Sequence, residues 1–501
     1  MKSIKYAYIS GAVVAAIAFA IVGGRSLADG SGNKTRTPVF AVDPFWPKPL
    51  PAPVGSDGIA HSWIQGEVAG NCIDPRDNVY TFNRGWEVGV TINGVLQGNE
   101  TGAINSLGIG DAFASIPSPP VVAFDSDGNV IAGWGNPSLI PMGPDYGYAA
   151  YMPHGAHGCF VDYQGYVWVG GNGDGIVQKY NPSTANAQGA GATFVAQFGT
   201  KGMCDTTSPP PAGTNPFTSC NETHDANTSH TLLNEPADIA VDPLPDPVTG
   251  TPGSVYIADG YGNHRVVVYT TADGGKTYTY NRQWGTTCMI NGVASDSQAC
   301  LPGTFGATGG GHPHCVVFSN DGDLYVCDRP NNRIQIFDRS CGAPSSASNP
   351  QPLCTPKKII NIGLNPGQTP PTSVPVVGNN AFQSVAPTDA ATILASPSLR
   401  ACDIDLWPNI DYLATKSPTS QRIIVDADAN NDNVWLIDKA TATVFGALGI
   451  CGIIPCPGHY VGQFEVSHTL ASDSKGNIYV AETVQGRRIQ KFVQVKSGYG
   501  Y

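Results

Sequence analysis

The chain has 501 residues and a formal net charge of −12, and only 13% of its residues are Asp, Glu, Lys or Arg. The excess of negative charge argues against nucleic acid and against an anionic membrane surface as partners. The 60 glycines and 41 prolines are typical of a globular protein made of tight turns and long loops. The composition therefore excludes two classes of partner but indicates no substrate.

The N-terminus has the features of an export segment. Residues 1–5 are basic, an apolar run covers 7–22, and small residues at 26–28 offer a cleavage site. We expect residues 1–28 to be a secretory signal peptide, with an uncleaved anchor as the alternative, although the run is slightly short for a membrane span. Residues 29–64 then form an N-terminal extension, and the protein is expected to be secreted or periplasmic.

The 13 cysteines suggest disulfides formed in an oxidising compartment. Four plausible pairs lie close together in predicted loops: Cys204 with Cys220, Cys288 with Cys300, Cys341 with Cys354, and Cys451 with Cys456. Cys159, Cys315 and Cys327 lie within predicted strands, where we expect buried thiols. The odd total leaves at least one cysteine without a partner in its own chain.

A short repeat recurs six times along the rest of the chain. Each copy has a run rich in aromatic and β-branched residues, entered through a polar turn, and most continue into a second run that ends in an aromatic residue. The clearest copies lie at 157–180, 314–337 and 468–492, and the others at 72–84, 237–259 and 422–438. The pattern predicts a hairpin-rich, all-β unit.

Six such units predict a six-bladed β-propeller, in which small antiparallel sheets pack radially around a central channel. An open β-solenoid is the alternative, but its repeats are shorter and more regular. We expect one propeller domain over residues 65–495, because every blade depends on its neighbours. The Pro/Gly-rich segments 201–229, 286–311 and 341–396 predict long loop insertions.

Three of the six copies begin with a histidine: His157, His314 and His468. Because the copies share one register, these side chains are expected at equivalent places and can converge on the central channel. Neutral imidazole is a common zinc ligand, and three histidines leave a fourth position for water or substrate. The sequence therefore predicts a zinc site, with the alternative that histidine merely suits this turn of the repeat.

Two other histidines compete with this set. His154 lies three residues before His157, but the run 157–162 matches 468–473, and this register favours His157. His312 precedes His314 in a similar way and is expected to be a loop residue.

The chain resembles a known family. Segments 68–85, 121–135, 259–265 and 327–335 are similar to the peptidylglycine α-amidating lyase group of NHL-repeat propellers, and the resemblance extends from about Gln65 to Phe492. Many NHL propellers share the strand pattern. The specific part of the resemblance is carried by six residues: His157, His314, His468, Arg84, Tyr261 and Arg329.

The resemblance implies a zinc ion held by the three histidines. It implies that Tyr261, in an Asp-Gly-Tyr turn, is the catalytic base and that Arg84 and Arg329 flank it. The reaction would cleave an α-hydroxyglycine, a carbinolamide, into an amide and glyoxylate, so the substrate would be a small molecule or derived from a peptide. A free tyrosine is protonated at neutral pH, but a nearby arginine and a metal would favour tyrosinate.

The chain departs from the family at two positions. Thr469 follows His468, where the lyases have an acidic residue that contributes to a structural calcium, and this argues against calcium here. Gly262 follows Tyr261, where the family commonly has a disulfide cysteine.

Two other functions stay open at the level of sequence. Six-bladed propellers also include lactonases and esterases, which usually hold calcium through carboxylates and amides, whereas three histidines favour zinc. A non-catalytic extracellular NHL propeller that binds a partner is the third hypothesis, because function depends on the site and not on the fold.

Overall fold

The computed structural model consists almost entirely of strands. It describes residues 38–54, 58, 60, 62–84, 90–92, 95–97, 115–135, 152–187, 191–206, 220, 226–307, 311–343, 354–362, 376–377, 403–407, 421–429, 432–442, 444–450 and 457–495. These residues form six separate antiparallel sheets of four or more strands. The predicted six-bladed β-propeller is thereby confirmed.

Within each blade the first strand named is the innermost, and the others follow outward from the central channel. Blade 1 has strands Val68–Ile73, Val79–Asn83, Val121–Phe124 and Val130–Trp134. Blade 2 has Ala156–Val161, Val167–Gly171, Ile176–Asn181 and Thr193–Phe198. Blade 3 has Pro236–Asp242, Ser254–Asp259, Arg265–Thr270 and Thr279–Trp284.

The second half of the ring follows the same plan. Blade 4 has Pro313–Phe318, Asp323–Asp328, Arg333–Asp338 and Lys358–Asn361, to which Val376–Val377 adds a parallel edge. Blade 5 has Asp403–Trp407, Ile423–Asp428, Asn433–Asp438 and Val444–Leu448. Blade 6 has Ser467–Ser472, Ile478–Glu482, Arg488–Val495 and Val39–Val42.

A few short elements lie outside the blades. They are the strand pairs Ser62–Ile64 with Ser115–Pro117, Val90–Ile92 with Val95–Gln97, and Met289–Ile290 with Val293–Ala294, and the 3₁₀ turns Pro182–Thr184 and Arg329–Asn331. The predicted loop 286–311 thus contains a small hairpin.

The six innermost strands form a closed ring, because each contacts the innermost strand of the next blade, including the last and the first. The outer edge of the ring is closed by the N-terminal segment. Val39–Val42 pairs with Arg488–Val495 in an antiparallel register, so the fourth strand of blade 6 comes from the opposite end of the chain. Residues before position 65 therefore contribute a strand to the propeller.

The turn from inner to second strand explains the Asp/Gly motif of the repeat. In blade 2 the Asp162 carboxylate accepts hydrogen bonds from the backbone N–H of Gln164 and Tyr166, at 2.9 and 3.0 Å. Gly165 has φ +84°, a conformation that favours glycine. Asp473 and Gly476 repeat this arrangement in blade 6.

Apolar side chains fill the seams between blades. Six clusters of buried side chains lie among the described residues, and each cluster combines residues of two neighbouring blades. Between blades 4 and 5, for example, Ile334 packs in one cluster with Trp435. Since burial of such side chains drives folding, every blade is stabilised by the two beside it.

Buried ion pairs recur at equivalent points of three blades. Within each blade an acid that ends the second strand pairs with an arginine that begins the third: Asp259 with Arg265, Asp328 with Arg333, and Glu482 with Arg488. Each arginine also donates to carbonyls of the loop that enters its blade. The arginines of the repeat therefore anchor the loops, and a buried pair of this kind is costly to break on one side only.

The described residues contain five disulfides, which are typical of proteins from oxidising compartments. The pairs Cys204–Cys220, Cys288–Cys300 and Cys341–Cys354 agree with the prediction. Cys451 and Cys456 lie outside the described residues.

The expectation of buried thiols at three positions is wrong. Cys315 bonds to Cys327, its direct neighbour on the second strand of blade 4, and Cys159 bonds to Cys72 on the inner strand of blade 1. The first bond spans 12 positions and the second 87. In both, the pairing or packing of neighbouring strands brings the two cysteines together.

The predicted signal peptide or anchor at 1–28 lies outside the described residues. Within the part that is described, no helix has the length and apolar character needed to cross a membrane.

Candidate metal centre

The three predicted ligands lie on the innermost strands of alternate blades. His157 belongs to blade 2, His314 to blade 4 and His468 to blade 6. In each case the strand register shifts next to the histidine, which marks a β-bulge. A bulge re-aims a side chain out of the normal alternation of a strand, and here it directs all three imidazoles toward one point.

The three side chains are buried and close together. His157, His314 and His468 are 2, 2 and 5% exposed, and each offers one ligand nitrogen within 4.8 Å of the other two. Their ring centroids are 4.5 to 5.3 Å apart. The described residues contain a single group of three or more His, Cys, Asp or Glu side chains with this geometry.

Backbone carbonyls fix the tautomer of two of the rings. The Nδ1–H of His157 donates to the carbonyl of Ala237 at 2.7 Å, and that of His468 donates to the carbonyl of Ala69 at 2.8 Å. A carbonyl only accepts, so the proton of each neutral ring is on Nδ1 and the lone pair is on Nε2. Metal-bound histidines are oriented in this way. Ala69 and Ala237 are the bulge residues of blades 1 and 3.

The neutral state of these rings is enforced by their surroundings. Burial, followed by His468, His314 and the charge of Arg84, lowers the pKa of His157 well below its ordinary value. Burial and then Arg84 lower the pKa of His468 to about 3. Metals bind imidazole in its neutral form, so His157 and His468 can accept a cation without first losing protons.

These pKa shifts predict that His157 and His468 each contribute a loss of stability in mild acid to the metal-free protein. The unfolded chain binds protons on these histidines below about pH 6.5 and the folded chain does not, so the free energy of unfolding falls as the pH falls. For His468 alone the loss at pH 5 is about 2 kcal/mol. The free energy of unfolding can be measured with urea at pH 7.5 and at pH 5, in the presence of a chelator. We expect the difference between these two values to be reduced by this amount in His468→Gln.

The paired variant is needed because other groups act in the opposite direction. Burial raises the pKa of Asp238 to about 7, so the contribution of this carboxyl to the free energy of unfolding increases as the pH falls. An equal pH dependence in His468→Gln and in the original protein would contradict the assignment.

Tyr261 lies against two of the three histidines. Its hydroxyl is 3.0 Å from Nε2 of His157 and 3.1 Å from Nε2 of His314. The phenol has one proton, so it donates to at most one of these nitrogens at a time. The hydroxyl thus lies next to the ligand atoms, where a bound cation would contact it.

The turn that presents Tyr261 is packed too tightly for larger neighbours. The Tyr261 N–H donates to the carbonyl of Glu235 at 3.0 Å. A Cβ on Gly260 would lie 2.0 Å from the Pro313 carbonyl oxygen, and one on Gly262 would lie 2.2 Å from the Asn234 amide. The absence of the family cysteine at Gly262 agrees with this packing.

Arg329 completes this side of the site. It follows the second strand of blade 4, and its Nη1 donates to the Tyr261 hydroxyl at 3.3 Å. Its guanidinium carbon lies 5.3 Å from the centre of the Tyr261 ring. An adjacent positive charge of this kind stabilises the deprotonated form of a phenol.

Arg84 follows the second strand of blade 1 and is held by three neighbours. Its Nε donates to the carbonyl of Ala156 at 3.1 Å, and its Nη2 donates to Oδ1 of Asn172 at 3.1 Å. Its Nη1 pairs with the buried Glu67 at 3.4 Å. The six predicted site residues are therefore brought together, with Arg84 close enough for its charge to act on two of the histidines.

Comparison with known proteins adds information on the fold. Residues 311–337, which include the first two strands of blade 4 and most of the third, match the NHL repeat family. The chain contains an NHL repeat. The six-bladed architecture and this repeat together agree with the predicted type of propeller.

Solved structures similar to this propeller are distant. A streptogramin B lyase is 11% identical, with a TM-score of 0.37 over 86% of this chain and 94% of the other. A gluconolactonase from Xanthomonas campestris is 11% identical, with a TM-score of 0.36 over 92% and 99%. A catalytically inactive virginiamycin B lyase from Staphylococcus aureus, with quinupristin, is 11% identical, with a TM-score of 0.33 over 86% and 86%. Similarities of this strength carry no argument about the site.

The two competing histidines lie apart from the ligand set. His154 is half-buried, and its N–H donates to Asp174 at 2.8 Å. His312, expected in a loop, is 1% exposed, and its ring stacks on His264 with centroids 3.8 Å apart. Burial, His264 and Arg329 together lower the pKa of His312 well below its ordinary value.

Thr469 forms a hydrogen bond within the wall of the central channel. Its hydroxyl donates to Oδ1 of Asn71, on the inner strand of blade 1, at 2.8 Å. The residue that replaces the family's acid therefore joins the first and last blades.

Several supporting residues were missed by the sequence analysis. The carbonyls of Ala69 and Ala237 hold two of the rings, and Glu67 and Asn172 hold Arg84. The alanines have a detectable signal, because they occupy the histidine position of the repeat in blades 1 and 3. Glu67 and Asn172 lie in different blades, and no local pattern connects them to Arg84.

Gly311 is a further residue on which the geometry depends. Its φ is +65°, and a Cβ there would lie 2.4 Å from the His314 ring and 2.7 Å from the Arg329 guanidinium carbon. We expect Gly311→Ala to displace one of these groups and to weaken the binding of a metal ion by the triad about 10- to 100-fold, as changes beside metal ligands do. Competition with a chromophoric chelator measures this.

The matched control is Gly322→Ala in the same blade. Gly322 also has a positive φ, +86°, but open space surrounds its missing Cβ. Both variants are expected to lose about 1–2 kcal/mol of stability from the backbone conformation. Equal metal affinity in the two variants would contradict this role of Gly311.

Proposed function

We propose that this protein is a zinc-dependent lyase that cleaves a carbinolamide of the α-hydroxyglycine type into an amide and glyoxylate. The observation that carries the proposal is the position of the Tyr261 hydroxyl, 3.0 and 3.1 Å from the Nε2 atoms of two buried histidines and 3.3 Å from Arg329. A phenol between potential metal ligands and a guanidinium is suited to act as a base.

The donor set fits a zinc ion. Three imidazoles offer their nitrogens to one point, and the hydrogen bonds from Nδ1 to the carbonyls of Ala237 and Ala69 leave Nε2 available on two of them. Nitrogen donors and an open fourth position are typical of catalytic zinc. Zinc bound there would supply Lewis-acid chemistry toward the hydroxyl or carboxylate oxygen of the substrate.

Tyr261 would act as tyrosinate. It takes the proton of the substrate hydroxyl, the C–O bond becomes a carbonyl, and the C–N bond breaks with its electron pair moving to nitrogen. The amide nitrogen then accepts a proton, which Tyr261 can return. Atoms and charges balance without an oxidant or an added water, so the step is an elimination and not a hydrolysis.

The arginines would recognise and stabilise negative charge. Arg329 contacts the Tyr261 hydroxyl, and its charge favours tyrosinate. Arg84 is held in a fixed orientation by Glu67, Asn172 and the Ala156 carbonyl. A planar guanidinium can donate two parallel hydrogen bonds to a carboxylate, and glyoxylate carries one.

The resemblance to the amidating lyases supports the same assignment, because the histidines, the tyrosine and the arginines all coincide with family positions. We further propose that the protein acts outside the cytoplasm. The five disulfides and the predicted export segment at 1–28 support this location.

The test is incubation of the purified protein with an N-acyl-α-hydroxyglycine, followed by quantification of amide and glyoxylate against a protein-free control. Equimolar products that disappear with chelator and return with zinc are the expected result. Metal-loaded protein that releases no glyoxylate would overturn the proposal. Hydrolysis of a lactone by such a preparation would indicate a hydrolase, and a preparation that binds no zinc would indicate a binding propeller.

A further inference from the structure

Two buried histidines take no part in the proposed mechanism. His264 and His312 are 3 and 1% exposed, and their rings stack with centroids 3.8 Å apart and planes 20° apart. His264 follows the turn that presents Tyr261 in blade 3. His312 directly precedes the inner strand of blade 4, which contains His314. The stack therefore joins two segments of the site across a blade seam.

Backbone contacts reinforce the same junction. The N–H of His312 donates to the carbonyl of Gly260 at 2.6 Å, one residue before Tyr261. The N–H of His264 donates to Oδ1 of Asn227 at 2.9 Å. The backbone of each histidine is thus hydrogen-bonded to a neighbouring segment. Sliding of one segment past the other would break these hydrogen bonds.

The junction between these two segments also lies next to Arg329. Gly311, the neighbour of His312, lies so close that a Cβ on it would be 2.7 Å from the Arg329 guanidinium carbon. Arg329 in turn donates to Tyr261 at 3.3 Å. The distance between Arg329 and Tyr261 is therefore set by how the two segments meet.

We propose that the His264–His312 stack is a positioning pair, which holds the Tyr261 turn of blade 3 at a fixed distance from Arg329 and His314 of blade 4. Neither ring touches the substrate in this role. The kinetic consequence rests on the proposed function, whereas the geometric consequence does not.

The experiment compares His264→Ala, His312→Ala and the double variant with the original protein. We expect kcat for the α-hydroxyglycine to fall about 10²-fold in each, since a displacement of about 1 Å at a reacting group has this effect. Zinc content is expected to stay near one per chain. Because the rings act as a unit, the double variant is expected to be no slower than either single variant.

The matched control is His230→Ala. His230 also stacks on an aromatic ring, that of Tyr280, with centroids 3.8 Å apart, but it is exposed and lies in the loop before blade 3, against the outermost strand of that blade. Its loss is expected to leave kcat and zinc content unchanged. His312→Phe retains a flat ring against His264 and is expected to recover at least part of the activity, which also serves if His312→Ala fails to fold.

Crystal structures of the original protein and of His312→Ala give a readout that is independent of turnover. We expect the separation of Arg329 Nη1 and the Tyr261 hydroxyl to lengthen by about 1 Å in the variant. If the original protein releases no glyoxylate but this separation still changes, the proposed function fails and the positioning role stands. An unchanged separation, unchanged kcat, or losses that multiply in the double variant would overturn the positioning role.

Discussion

Replacement of Tyr261 by phenylalanine is expected to lower kcat for an α-hydroxyglycine by about 10²- to 10⁴-fold, the usual contribution of a general base. The variant removes only the hydroxyl, which lies 3.0 and 3.1 Å from the Nε2 atoms of His157 and His314. The ring that packs on His157 stays in place. Zinc content should therefore be unchanged, and a stopped glyoxylate assay on metal-matched preparations measures the effect.

Tyr269→Phe is the matched control. Tyr269 belongs to the same blade, is 5% exposed, and donates its hydroxyl proton to the carbonyl of His230 at 3.3 Å. Its replacement removes one buried hydrogen bond far from the proposed ligands, so activity should stay normal. Normal turnover by Tyr261→Phe would exclude tyrosinate as the base, whereas a parallel loss of zinc would make the effect one of metal binding.

The second large effect is expected from the histidines. His157→Ala, His314→Ala and His468→Ala should each weaken zinc binding by more than about 100-fold, since even residues one shell further from a metal affect its affinity 10- to 100-fold. Glyoxylate release should disappear with the metal. The measurement is zinc per chain by atomic emission after dialysis against a weak chelator.

His154→Ala is the matched control for this series. It lies three residues from His157 and is a histidine of the same blade, but its N–H is bound to Asp174 and its ring lies outside the ligand group. It should retain about one zinc per chain. Retention of zinc by any of the three main variants, or its loss from His154→Ala, would contradict the proposed ligand set.

The general form of the site could be predicted because the repeat has a fixed register. A histidine at one point of three copies indicates three equivalent positions, and closure of the ring brings them together. Tyr261 and the arginines required more than the repeat, since only the family resemblance connected them. Their mutual contacts, such as Arg329 with Tyr261, depend on how blade 3 meets blade 4.

Other features could not be predicted, for a common physical reason: they join residues that are far apart in the chain. The Cys72–Cys159 bond spans 87 positions between two inner strands. The same holds for Asn172, which orients Arg84 from 88 positions further along the chain. Short spacing correctly indicated the three loop disulfides, because a short loop brings its own ends together.

The closing of the ring by its two termini has a consequence for biosynthesis. His468 donates to the carbonyl of Ala69, which lies 399 residues earlier, and its blade is completed by Val39–Val42. During synthesis from the N-terminus, His157 and His314 exist long before the third ligand is made. A metal held by all three histidines would be acquired with full affinity only when the last blade has docked onto the first. A truncated or stalled chain would thus stay unmetallated, and metal occupancy would report that synthesis has been completed.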